Sequence, residues 1–131
     1  MQMITATDHI GIRVAKLATA RHFYQQLGFV FIEGPVGPEP VAIMRHPSGV
    51  VINLILNAHC SPEDNILMDV PKKHAGYTHF ALTVTDLGAV QQHLASCDIK
   101  ITEGPTDFGP GHGASIFIRD QDRNVIEFHQ S

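Results

Sequence analysis

Cysteine is scarce: the 131 residues contain only Cys60 and Cys97, which form no Cys-x-x-Cys pair and are too few for a disulfide framework. Both read as free thiols of a reducing compartment, which excludes a small disulfide-stapled scaffold. Basic clusters are missing as well. Nine Lys and Arg stand against 13 Asp and Glu, a formal charge of −4, so phosphate backbones find little to bind and nucleic acid is not an expected partner. The longest nearly apolar run, Val50 to Leu56, is broken by Asn53. It falls well short of the ~20 residues of a transmembrane helix, so no membrane partner is expected. The opening Met1-Gln2-Met3-Ile4-Thr5 lacks the basic and apolar regions of a secretory signal, and a cytoplasmic protein is expected. What is present suits a packed core. Hydrophobic residues make up 44%, close to the ~45–50% of soluble domains, and the length is that of one domain, residues 1–131.

An internal repeat organises the sequence. Asp8-His9-Ile10-Gly11-Ile12-Arg13-Val14 aligns with Thr78-His79-Phe80-Ala81-Leu82-Thr83-Val84 at an offset of 70 (79 − 9). Gly28-Phe29 meets Asp98-Ile99 at the same offset, and Val51-Ile52-Asn53-Leu54 meets Val125-Ile126-Glu127-Phe128 at 74 (125 − 51). Two modules are therefore expected, at about 1–57 and about 78–131, joined by a polar stretch 58–77 that reads as a linker or lid. Each module reads as strand, helix and three strands. In the first, residues 7–14 alternate, and Leu17, Ala20, Tyr24 and Leu27 recur at helical spacing until Gly28 stops the helix. Strands follow over 29–33, 41–45 and 50–56, with Gly34-Pro35 and Pro47-Ser48-Gly49 as turns. In the second module, residues 78–84 form a strand, Asp86 caps a helix carrying Leu87, Val90 and Leu94, and strands lie near 100–103, 114–119 and 125–129.

Alternation along these strands selects the candidate site, because residues i and i+2 share one face of a sheet. Ile10, Ile12 and Val14 are assigned to the helix side, and His9, Gly11 and Arg13 to the other. The duplicate strand divides in the same way, with His79 facing away from its helix. Asn53 and Glu127 also point away from the helices in the last strand of each module. A duplicated sheet closing around a shared axis would bring His9, His79, Asn53 and Glu127 together. Two imidazoles and one carboxylate match the set that binds a divalent transition metal on one face and leaves other positions open, and N/O donors suit Fe, Mn, Ni, Co or Zn.

These residues resemble the vicinal oxygen chelate superfamily, which includes glyoxalase I, extradiol dioxygenases, fosfomycin-resistance transferases and bleomycin-binding proteins. The resemblance covers nearly the whole sequence. It rests on the segments 8–14, 23–29, His79-Phe80-Ala81-Leu82 and Arg119-Asp120-Gln121-Asp122-Arg123-Asn124-Val125-Ile126-Glu127-Phe128. It implies an α+β fold of two tandem βαβββ modules forming a cup-shaped mixed sheet with helices outside. It also implies a central metal, often a dimer with sites shared between chains, and His9, His79 and Glu127 at the metal-ligand positions, with Glu127 as the catalytic carboxylate. Glyoxalase I has a glutamate where Asn53 stands, and Asn53 has no titratable proton with which to act as a base. The fosfomycin transferases match less well, since Gly11 stands where a hydroxyl residue is expected and the chain ends two residues after His129.

The expected function is a divalent-metal-dependent lyase or isomerase of glyoxalase type, acting on a small substrate that chelates the metal through neighbouring oxygens. The alternatives are a ring-cleaving dioxygenase and a non-catalytic binder of a small molecule or drug. A homodimer is expected. Asn53, Arg13, His129 and His112 are further candidates: Arg13 for a substrate carboxylate, His129 behind Glu127, and His112 in the loop Gly109-Pro110-Gly111-His112-Gly113, which looks mobile. Tyr77 is expected to pack, and His22, His46 and His93 to be solvated.

Overall fold

Apolar alternation produces eight strands and two amphipathic stretches produce two helices in the computed structural model, which describes residues 1–131. The elements run β1 (Ile10–Arg13), α1 (Leu17–Gln26), β2 (Val30–Val36), β3 (Val41–Arg45), β4 (Val51–Ile55), β5 (His79–Thr83), α2 (Leu87–Ser96), β6 (Ile101–Asp107), β7 (Ala114–Arg119) and β8 (Val125–Gln130). This is βαβββ written twice. The chain divides into two compact units, Met1–Ser61 and Pro62–Ser131, so residues 62–77 of the expected junction belong to the second unit.

Each unit holds one four-stranded mixed sheet. In the first the order is β1-β4-β3-β2, with β1 parallel to β4 and the other pairs antiparallel. In the second the order is β5-β8-β7-β6, with the same pattern of directions. Period-two alternation buries one face. Ala42, Met44, Ile52 and Leu54 are fully buried in the first unit together with Tyr24 of α1; in the second, Ile116, Ile118 and Ile126 are buried with Leu94 of α2. Each fully buried large aliphatic side chain contributes roughly 1.5–3 kcal/mol, so this face carries most of each unit's stability.

The helix ends repeat as the alignment requires. Beyond α1, Gly28 takes a φ of +93°, and the Phe29 N–H reaches back to the Tyr24 carbonyl at 3.0 Å. Beyond α2, Asp98 takes a φ of +56° and the Ile99 N–H reaches the Leu94 carbonyl at 2.9 Å. A left-handed residue followed by this back-bond satisfies the carbonyls that a helix C-terminus leaves open. Asp86 caps α2 as expected, accepting from the Ala89 N–H at 3.0 Å.

One expectation is corrected. Gly34-Pro35 is not a turn but lies inside β2, where the pairing with β3 shifts between Glu33 and Val36. Its counterpart, Gly104-Pro105, lies inside β6 at a matching shift between Glu103 and Thr106. Proline has no N–H for the ladder, so it is tolerated where a bulge already interrupts pairing.

The segment read as a linker or lid is fastened to the second sheet. Asn65 accepts from the Leu67 and Met68 N–H groups through Oδ1, and its Nδ2 donates to the Arg123 carbonyl at 3.0 Å. Arg119, at the end of β7, donates from both Nη atoms to the two oxygens of Asp69, with Nη2 to Oδ1 at 2.7 Å. These bonds and the Asn65 N–H hold the Asp69 carboxyl well below the usual carboxylate range. Between that lowered pKa and the ordinary value of ~3.9, the unfolded chain binds the proton and the folded chain does not. The pair's contribution is therefore complete above about pH 4 and is lost as the pH falls further. Asp69→Asn should remove this acid-sensitive part: urea midpoints measured from pH 5 to pH 3 are expected to fall less steeply in the variant than in wild type, and equal slopes would refute the assignment.

Candidate metal-ligand site

In the first unit, the parallel register sets Gly11 beside Asn53, and Asn53 is half-buried on the face opposite Ile52 and Leu54. His9, two residues before Gly11, precedes β1 on the same side by alternation, and its Nδ1 lies 2.7 Å from Asp8 Oδ1. A carboxylate partner at Nδ1 selects the tautomer whose lone pair is on Nε2, the form that binds a metal through Nε2. Arg13 is engaged within its own unit. Its Nε donates to Asn57 Oδ1 at 2.8 Å and its Nη2 lies 3.4 Å from Glu39 Oε1, while Asn57 Nδ2 donates to the same oxygen at 2.9 Å. The bonds from Asn57 and then Arg13 hold the Glu39 carboxyl below its usual value.

In the second unit, β5 pairs with β8 so that Ala81 sits opposite Glu127, and the two sequence-derived candidates His79 and Glu127 come together. His79 Nε2 stands 2.8 Å from Glu127 Oε2, and His79 Nδ1 is 2.8 Å from Thr78 Oγ1. About 12% of the Glu127 side chain is exposed, against 32% of His79. The other carboxylate oxygen, Oε1, accepts from Ser115 Oγ at 2.5 Å, and Ser115 Oγ is 2.7 Å from His129 Nδ1. The rings of Phe117 and His79 meet in a T-shaped arrangement with centroids 5.6 Å apart, and the rings of Phe108 and His129 are tilted to each other with centroids 6.2 Å apart.

Alternation foretold His79, Glu127 and His129 on this face. Ser115 and Phe117 were missed, although they occupy alternate positions of β7 and pair directly with His129 and Glu127. The available signal was a serine among the otherwise apolar residues 114–118. His112 is exposed in the β6–β7 connection. Two further expectations are corrected. Tyr77 is fully exposed and packs on nothing in its unit, because it lies in the extended approach to β5 and no element of the unit covers it. His46 is half-buried, with its ring 5.3 Å from that of Phe29 and its Nδ1 2.7 Å from Ser48 Oγ, because the turn after β3 folds back on the helix terminus.

Within either unit, no group of three His, Cys, Asp or Glu side chains stands close enough to hold a metal ion. The His79–Glu127 pair nevertheless fits one as part of a ligand set. It offers one imidazole nitrogen and one carboxylate oxygen directed at each other, each oriented by a hydrogen bond at its other heteroatom. Supports of this kind behind the ligands are the usual companions of metal-binding His and Glu.

Fold and donors define a class. Residues 6–128 match the family model of the Glyoxalase/Bleomycin resistance protein/Dioxygenase superfamily. The chain belongs to that superfamily. Among solved structures it is similar to FosX, a genomically encoded fosfomycin resistance protein from Listeria monocytogenes complexed with Mn(II) and sulfate. That match has 17% identity, covers 98% of this chain and 92% of that one, and has a TM-score of 0.74. A protein named SMU.1112c matches at 24% identity over 96% and 98% of the two chains, with a TM-score of 0.76. TnmS3, an antibiotic-binding protein from Streptomyces sp. CB03234, matches at 18% identity over 99% and 98%, with a TM-score of 0.72. At these identities the likeness establishes the fold. Fold alone leaves the chemistry to the site.

Proposed function

We propose that the protein is a divalent-metal-dependent enzyme of glyoxalase type, a lyase or isomerase acting on a small substrate that offers two neighbouring oxygens. The observation that carries this reading is the His79–Glu127 pair, with both side chains braced from behind by Thr78 and Ser115. His9, at the equivalent position of the first module, is the proposed third ligand. The N/O donor set suits Fe, Mn, Ni, Co or Zn, and FosX, of the same fold, has been complexed with Mn(II). The bound ion would act as a Lewis acid on the substrate oxygens. Glu127 is the proposed acid–base residue. With Oε1 taken by the Ser115 hydroxyl, Oε2 beside His79 Nε2 is the atom left to meet either the metal or a substrate proton. Phe117 and Phe108 give this face apolar surface beside the polar pair.

Two other readings have particular support. Asn53 at the fourth position leaves only three protein ligands, the arrangement of a ring-cleaving dioxygenase. The exposed aromatics Phe108 and Tyr77, with the shared fold of the antibiotic-binding TnmS3, favour a binding protein that needs no metal. A homodimer is the proposed assembly, supported by exposed apolar side chains such as Val30, Ile66 and Tyr77. The cytoplasm is the proposed location, supported by free Cys60 and Cys97; no helix is long and apolar enough to cross a membrane.

Metal analysis separates the classes. After incubation with Mn(II) and desalting, wild type should retain about one ion per chain, and His79→Ala should retain almost none. Full occupancy in the variant would refute the ligand assignment, and a metal-free wild type that binds aromatic ligands would establish the binding protein instead.

A further inference from the structure

Ser115 is completely buried, yet its hydroxyl stands between the two polar residues of β8 that face the site. A serine hydroxyl has one proton and two lone pairs. Glu127 Oε1, 2.5 Å away, can only accept from it when ionised, so the proton of Ser115 is committed to that oxygen. The contact between Ser115 Oγ and His129 Nδ1 at 2.7 Å must then run the other way, with His129 donating Nδ1–H. The result is a directed chain, Nδ1–H to Oγ–H to Oε1, ending on a carboxylate, in which each bond polarises the next. Its members are fixed by the sheet itself, since Ser115 pairs with His129 and Phe117 with Glu127 in the β7–β8 register. No buried side-chain nitrogen or oxygen lacks a partner, so the serine is fully satisfied by this arrangement.

Oε1 is held from behind, and Oε2 faces His79 Nε2 at 2.8 Å. We infer that Ser115, supported by His129, is a positioning residue that makes Glu127 a one-oxygen donor, presenting Oε2 alone beside His79 Nε2 and preventing two-oxygen binding of the metal. This rests on the reading of Glu127 and His79 as metal ligands.

The test compares Mn(II) affinity by titration calorimetry in wild type, Ser115→Ala and Ser115→Thr, with the carboxylate stretching bands of the loaded proteins recorded by infrared spectroscopy and assigned through Glu127→Gln. Loss of a hydrogen bond behind a metal ligand typically weakens metal binding ~10–100-fold, and at least the lower figure is expected for Ser115→Ala. The splitting between the two Glu127 bands, wide for a one-oxygen ligand, should narrow in Ser115→Ala and stay wide in Ser115→Thr, which keeps the hydroxyl. A purely structural role would not move that splitting. If Ser115→Ala does not fold, Ser115→Cys, similar in size with a weaker donor, carries the same comparison. Affinity and splitting unchanged on loss of the hydroxyl would overturn the inference alone; a wild-type protein that binds no Mn(II) would overturn the ligand reading and the inference with it.

Discussion

Gly34→Ala and Gly104→Ala should each lose roughly 2–5 kcal/mol of stability, a large part of the ~5–15 kcal/mol available to a small domain. A Cβ at Gly34 would lie 2.5 Å from Ala42 Cα and 2.7 Å from the Val41 carbonyl oxygen, and one at Gly104 would lie 2.6 Å from the Ser115 carbonyl oxygen. These neighbours are backbone atoms of the adjoining strand, so relief requires the strands to separate. The φ angles of +138° and +89° add the strain of a conformation that residues with a Cβ rarely adopt. Gly49→Ala is the control. Its φ is +101° but nothing lies within 4 Å of the added carbon, so only the backbone strain, about 1–2 kcal/mol, is expected there. Urea unfolding followed by circular dichroism checks the ranking, and loss of no more stability in Gly34→Ala and Gly104→Ala than in Gly49→Ala would refute the close-approach account. Gly104→Ala has a second consequence: the strain falls on the carbonyl of Ser115, so metal binding should weaken along with stability.

The same glycines mark where sequence reading gives out. Gly-Pro between two apolar runs ordinarily marks a turn, because both residues suit one locally. Here the reason for glycine is the backbone of a neighbouring strand, Ala42 for Gly34 and Ser115 for Gly104, and no local pattern encodes that approach. The pairing of Gly34-Pro35 with Gly104-Pro105 at the repeat offset of 70 (104 − 34) was nevertheless available in the sequence. Elements defined by their own periodicity were legible: β3 and β7 have the bounds that alternation gives, and α2 begins at its Asp86 cap. In the site, alternation was enough to put His79 and Glu127 on one face, because side-chain direction in a strand has a period of two. It could not reveal Ser115, whose role depends on the antiparallel register with His129. Nor could it reveal that Arg13 is tied to Glu39 and Asn57, 26 and 44 residues away in sequence.

Asn53→Glu should tighten binding of hard divalent ions, because it adds a carboxylate at the one repeat position where the first module lacks the counterpart of Glu127. Asn53 lies on the half-buried face of β4, beside Gly11 and opposite the buried Ile52 and Leu54, so the longer side chain would project from the face that carries His9 by alternation. Under the proposed ligand set the variant has four protein donors instead of three, and carboxylate donors favour hard divalent ions such as Mn(II). A gain of about tenfold or more in Mn(II) affinity corresponds to ~1.4 kcal/mol, a modest demand on one added charged ligand. Activity then separates the two enzymatic readings by sign. A glyoxalase-type reaction gains a titratable group where the amide of Asn53 had none, so turnover of a glutathione–methylglyoxal adduct should rise. A ring-cleaving dioxygenase loses an open coordination position and should slow on a catechol. Affinity and both activities are to be measured against wild type, and unchanged affinity would mean that the outward face of β4 does not meet the metal.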